Sequence, residues 1–216
     1  MAKQKTRPQN NFHCFEGVGL PYWRSIAEGH APMGTEPAQG PEGSRWEFKQ
    51  DIDGYLLKNG GLVFPQETKL NLGTYFRFFG TIAHNIRGAG GGMSGGWWID
   101  YENLEKILRF AEKNDYSLAK SATMLLIIPN EWHDCGYLGC AQLRRQMKAF
   151  VGKGNPATGT ISPTNPMRDA QNNPVIMGLP HLEIKQYFVP GSRDEISNAF
   201  DSVWIKQVIK PGVQVF

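Results

Sequence analysis

Gly73-Thr-Tyr-Phe-Arg-Phe-Phe-Gly80 leads, after a short interval, to Gly90-Gly-Gly-Met-Ser-Gly-Gly-Trp-Trp-Ile-Asp100. The first segment has the composition of a strand, aromatic residues around a single cation with glycine at either end. Side chains alternate along a strand, so Tyr75, Arg77 and Phe79 share one face and Thr74, Phe76 and Phe78 the other. The second segment predicts a flexible glycine-rich connection over Gly88 to Gly96, then a short strand whose Trp97 and Trp98 point to opposite faces. One indole then belongs to the core, and the other is free to stack on a ligand ring.

Downstream, Asp100 stands where a helix N-cap belongs, and Leu104, Ile107, Leu108 and Ala111 recur at helical spacing as far as Asp115. Thr123-Met-Leu-Leu-Ile-Ile128, closed by Pro129, reads as a mid-sheet strand buried on both faces. Ala141 to Val151 reads as a second helix ending at Gly152-Lys-Gly154, and Asn155 to Pro174 as a long polar loop. A strand is expected over His181 to Val189. Ser192-Arg-Asp-Glu195 fits a capping box opening a short helix to about Phe200, and Val203 to Ile209 a last strand.

Upstream, Tyr55 to Lys58, Asn59-Gly60-Gly61 and Leu62 to Phe64 carry a hairpin signal. Residues 1–50 hold the Pro/Gly-rich run Gly29 to Gly43, which opposes helix and central strand alike. They are expected to form an irregular arm, its first half pinned to the core by Phe12, Phe15, Tyr22 and Trp23. Helices interleaved with strands over residues 51–216 predict a single α+β domain with a few helices.

The whole chain sets bounds on function. Its 216 residues, 40% hydrophobic, suffice for one sizeable core, and a net charge of +3 with 20% charged residues gives only a mildly basic surface. Cys14, Cys135 and Cys140 are too few and too odd in number for a disulfide framework, which points to a reducing, cytoplasmic site of action. The first residues are polar, unlike a secretory signal, and no apolar run reaches the ~20 residues that span a bilayer. A membrane role is therefore not expected, and export would need a specialised secretion route.

Several positions carry chemistry. Arg77, within aromatic residues, should either meet a carboxylate in the core or face a cleft and hold an anion such as a pyrophosphate. On the late strand, Gln186 is a lone amide in the row Leu182, Ile184, Phe188, bonded either to loop backbone or to a substrate hydroxyl or water; Glu183 on the other face is the competing carboxylate. Gly88 to Gly96 lacks the lysine and spacing of a phosphate-binding loop and the dinucleotide fingerprint. His133-Asp-Cys135 with Cys140, and His13-Cys14 upstream, match no paired-cysteine zinc spacing, so no metal is expected. Common hydrolase signatures are missing.

Taken in order, these parts resemble the ADP-ribosyltransferase-like fold of NAD-cleaving bacterial toxins, both mono-ADP-ribosyltransferases and NAD glycohydrolases. The resemblance covers residues 73–210 and rests on Tyr75-Phe-Arg-Phe-Phe-Gly80, on Gly-Gly-Trp-Trp-Ile99 leading into a helix, and on Glu183-Ile-Lys-Gln-Tyr187 followed by Pro190-Gly191. It implies that the mixed or antiparallel sheet is split, with NAD as substrate, Arg77 on its phosphates, Tyr75, Trp97 and Trp98 framing the ligand, and Gln186 or Glu183 acting at the ribose. It also implies a toxin or effector with a protein acceptor or an inhibitor (immunity) protein as partner. Ser-Thr-Ser on the second strand and Glu/Gln-x-Glu on the third are replaced here by Gly-Gly-Trp-Trp and His181-Leu-Glu183, and the Gln186-Tyr187 pair is more similar to the glycohydrolase branch, which tilts the expectation slightly towards hydrolysis. The competing expectation is a non-catalytic module whose basic aromatic face binds nucleic acid or protein.

Overall fold

The computed structural model describes residues 10–29, 60–128, 134–162, 165–173, 175–177 and 184–208 of the chain. In chain order these form a 3-10 turn (His13–Phe15), α1 (Gly19–Ala27), β1 (Leu62–Leu70), β2 (Gly73–Phe79), α2 (Thr81–Met93), β3 (Trp97–Trp98), α3 (Tyr101–Asn114) and α4 (Leu118–Leu125). There follow β4 (Tyr137–Leu143), β5 (Met147–Gly154), β6 (Ala157–Thr158), β7 (Thr160–Ser162), β8 (Asn165–Pro166), β9 (Ile176–Met177), β10 (Lys185–Phe188), α5 (Arg193–Ala199) and β11 (Phe200–Gln207). The class is mixed α+β, and the two main sheets are antiparallel.

β2 organises the body. It pairs with β4, which pairs with β11, and on its other side it touches β3 through one bridge, Phe76 opposite Ile99. β3 belongs to the second sheet, ordered β1-β5-β10-β3. One ladder thus runs through both sheets and parts between β2 and β3. The alternation read from the sequence holds on β2: Tyr75 and Phe79 enter one core cluster with Trp98 and Phe200, while Phe76 and Phe78 enter another with Ile99, Leu104, Ile107 and Leu125.

α3 starts as expected, with the Asp100 side chain accepting from the Asn103 N–H and Leu104, Ile107 and Ala111 buried at helical spacing. α5 is likewise opened by Ser192, which accepts from the Glu195 N–H. The last strand begins at Phe200, directly after α5, earlier than Val203.

Four expectations are corrected. Thr123 to Leu125 end a helix, not a strand: Ser117 caps α4 by accepting from the Lys120 N–H, and Ile127 lies at φ 57°, which no strand tolerates. A short apolar run has no period of its own, and Ala119, Ala122 and Leu125 show that the burial is helical. Ala141 to Val151 belong to β4 and β5, because Leu143, Met147 and Phe150 mimic helical spacing while Arg144 to Gln146 turn the chain. Most of the glycine-rich connection is α2, kinked at Gly88 (φ 66°, ψ −177°). The polar loop after Asn155 carries two small ladders, β6 with β9 and β7 with β8.

The N-terminal arm is more regular, in its described part, than its composition suggests. Phe15 stacks on Phe150 at 4.7 Å and Trp23 lies 6.1 Å from Phe188, so the expected aromatic pinning holds for these two rings. Asn11, fully buried, donates from Nδ2 to the carbonyls of Lys148 (2.9 Å) and Pro190 (2.8 Å) and accepts from the Lys148 N–H (2.7 Å). Residues 10–29 are therefore packed into the same body as the sheets. The hairpin arm Tyr55 to Lys58, the run from His30 to Gly43, and residues 181–183 lie outside the described residues.

Candidate functional site

A cavity of about 350 Å³ lies where β2 and β3 part. Its walls come from Phe76, Arg77 and Phe78 on β2, Trp97 to Ile99, Leu126 to Ile128 after α4, Gln186 on β10, and Gly61. The walls are mostly apolar, with a few polar groups, as in small-molecule sites.

Arg77 is set by the parting of the ladder. Phe76 exchanges both main-chain bonds with Ile99, at 2.8 and 2.9 Å. Antiparallel alternation then turns the N–H and C=O of Phe78, and those of Trp97, into the gap. There β3 has moved away, and the guanidinium fills in: Nη1 donates to the Trp97 carbonyl at 2.7 Å and Nε to the Gly92 carbonyl at 2.8 Å. Gly95 lies so close that a Cβ there would fall on the guanidinium. Among the described residues no carboxylate forms an ion pair with Arg77. Burial accordingly pulls its pKa down to about 10. The alternative of a core salt bridge is thus not met among the described residues, and within them Arg77 is a cation at a cavity wall without a carboxylate partner.

Gln186 is 7% exposed. Its Nε2 donates to the Leu126 carbonyl at 3.1 Å, so it does bond loop backbone, while its Oε1 accepts from none of the described residues. Gly154 backs the amide, since a Cβ there would stand 2.9 Å from Nε2. The carbonyl it uses precedes Ile127, a β-branched residue at positive φ, which is a strained conformation on the cavity wall.

The two tryptophans divide as alternation requires. Trp98 is 1% exposed and stacks on Phe200 at 4.1 Å and 8°, so its indole is core. Trp97 is partly buried, 4.9 Å from the Phe188 ring, and lines the cavity. Tyr75 departs from expectation. Its ring sits between Tyr187 and Phe200 (5.9 and 6.0 Å), its hydroxyl donates to the Asn71 carbonyl at 3.0 Å, and it is not among the lining residues. Strand alternation carries it into the core, and only the reach of arginine returns position 77 to the gap. Glu183 lies outside the described residues.

Cys14, Cys135 and Cys140 are buried thiols; burial pushes Cys14 up to about 12 and raises the other two. His133 is outside the described residues, and among those described no three His, Cys, Asp or Glu side chains group as metal ligands. No described helix is long and apolar enough to cross a membrane. The sequence did not single out Leu126 to Ile128, because the site's use of them rests on a carbonyl and a strained turn that side-chain type does not encode. Comparison with protein-family models, with curated proteins and with solved structures gives no match for this chain.

Proposed function

We propose that the chain is an NAD-cleaving enzyme of ADP-ribosyltransferase-like fold, and that it breaks the nicotinamide–ribose bond in the cavity between β2, β3 and β10. The observation that carries this reading is the presence in one cavity wall of Arg77, a buried cation with no carboxylate partner among the described residues, and Gln186, whose Oε1 accepts from none of them. A buried cation calls for an anion, and an arginine fork suits a diphosphate. The cavity lies near the lower end of the ~300–1,000 Å³ of ligand sites, which suits the nicotinamide–ribose half of a dinucleotide with the phosphates lying along Arg77.

In this mechanism Trp97 offers its ring to the nicotinamide, and the apolar walls thin out water around the reacting carbon. The C–N bond breaks with its electron pair leaving on nicotinamide, and the ribose passes through an oxocarbenium-like state. Gln186 Oε1, oriented by the Nε2 bond to Leu126, accepts from a ribose hydroxyl or from the attacking water and stabilises the positive charge as it develops. Water then adds to the carbon and loses a proton, giving ADP-ribose; a protein nucleophile in its place would give transfer. The likeness of the Gln186-Tyr187 pair to the glycohydrolase branch, beside the departure from Ser-Thr-Ser, slightly favours hydrolysis.

Incubation with NAD and chromatography of the products tests this. Nicotinamide and ADP-ribose should appear with the wild type and fall by orders of magnitude with Arg77→Ala. Gln186→Ala and Glu183→Ala, compared side by side, separate the two late-strand candidates. NAD left intact, with and without cell lysate as acceptor, would end the reading and leave a binding module.

A further inference from the structure

The strand that carries Gln186 is short of a neighbour. β3 pairs with β10 through Trp98 opposite Tyr187 and Trp97 opposite Phe188. Two residues along, the same register sets Lys185 opposite Asp100, where β3 has ended and α3 is about to begin. The Lys185 N–H points to that side and would be left without a ladder partner. It donates instead to Oδ1 of Asn103, at 2.9 Å.

Asn103 is 1% exposed and held on every side. Its own N–H and its Nδ2 both donate to Oδ1 of Asp100, at 2.9 and 2.7 Å. The other carboxylate oxygen of Asp100 accepts from the Tyr187 hydroxyl at 2.9 Å. Burial, and then the Asp100 charge, pushes the Tyr187 phenol up, so this hydroxyl stays a donor. Every polar atom of the Asn103 side chain is thus committed to locating one backbone amide. That amide immediately precedes Gln186, whose side chain lies, by alternation, on the face opposite the Lys185 side chain and lines the cavity.

We propose that Asn103 is a positioning residue: standing behind β10, it takes the place of the missing strand and fixes where the Gln186 amide sits in the cavity wall. It touches no ligand, and it acts through the Lys185 backbone. The inference rests on the reading above for its link to turnover, while its structural half stands independently.

Three variants separate positioning from general stability. Asn103→Ala removes the acceptor. Asn103→Asp keeps an acceptor for Lys185 but sets a second carboxylate beside Asp100, so it loses stability without releasing the strand. Tyr187→Phe removes one bond of the same network and leaves the Lys185 amide held. Amide exchange at Lys185 should be fast in Asn103→Ala, and as slow as wild type in the other two once corrected for global stability. The side-chain amide resonances of Gln186 should move in Asn103→Ala alone. With NAD, Asn103→Ala should lose about tenfold to hundredfold in kcat at an unchanged KM, as expected of an ångström-scale misplacement, and Asn103→Asp should restore most of it.

Protected exchange at Lys185 in Asn103→Ala would overturn the inference. So would unmoved Gln186 resonances, or an equal kcat loss in Tyr187→Phe. If the wild type leaves NAD intact, the functional reading fails, and exchange and resonances alone decide for or against the placement.

Discussion

Gly154→Ala perturbs the candidate site through one methyl group. Gly154 is not at positive φ, so alanine can adopt its backbone without strain. The new Cβ would stand 2.9 Å from Gln186 Nε2 and 2.9 Å from Ile127 Cδ1, closer than real contacts allow. The Gln186 amide is the yielding partner, since it ends a flexible side chain, and giving way breaks its bond to the Leu126 carbonyl. Overpacking costs about 1–3 kcal/mol, and the broken bond about 0.5–1.5 kcal/mol. Reduced freedom of the unfolded chain offsets roughly 0.4–1 kcal/mol. The net loss of stability is then about 0.5–4 kcal/mol, measured by urea denaturation. An amide displaced by an ångström should cost NAD cleavage on the order of a hundredfold, at a temperature where the variant is fully folded. Gly73→Ala, which meets nothing within 4 Å, is the control. Wild-type turnover in a Gly154→Ala protein that has lost the expected stability would refute the role given to the amide.

Other outcomes follow from the same geometry. Gly95→Ala should weaken NAD binding about tenfold or more in a titration followed by tryptophan fluorescence, because its Cβ displaces the Arg77 guanidinium from a charge-assisted contact. With the folded pKa of Arg77 lowered to about 10, affinity for the dinucleotide should be flat through neutral pH and fall about tenfold per unit above 10. Over that range the unfolded chain binds more protons at this group than the folded one, so its burial penalty relaxes and stability from this residue rises with pH. Asp134 is lowered despite burial, because hydrogen bonds from Thr81 and Gly136 outweigh it. Asp134→Ala should cost about 0.5–2 kcal/mol at neutral pH by uncapping α2, at the lower end because the carboxylate is screened by solvent. The charge-linked part of that difference should be present above the ordinary aspartate range and vanish as pH falls through the lowered folded value.

What could be read from the sequence was whatever rests on local pattern. β2 and its two faces, the Asp100 cap and α3, the Ser192 cap and α5, and the split fate of Trp97 and Trp98 each follow from spacing or a single side chain. Thr123 to Ile128 escaped because a short apolar run has no period of its own, and Ala141 to Val151 because two strands joined by the exposed turn Arg144 to Gln146 place Leu143, Met147 and Phe150 at helical spacing. The site is a mixture of both kinds. Arg77 and Gln186 stood out as polar groups in apolar rows, which is a property of sequence. The bonds that orient them run to the carbonyls of Gly92, Trp97 and Leu126, and a carbonyl belongs to every residue. Asn103 stayed unnoticed for a related reason, since an asparagine in a first helical turn is ordinary until the strand behind it is seen to stop short.

The central claim is that one ligand is held by Arg77 and Gln186 in one cavity, and a crystal structure with a non-hydrolysable NAD analogue tests it most directly. The account predicts density for the diphosphate on the Arg77 guanidinium and for the nicotinamide–ribose half between Trp97 and Gln186. An analogue bound elsewhere, with the space between β2 and β3 unfilled and the Arg77 fork still confined to the carbonyls of Gly92 and Trp97, would contradict it.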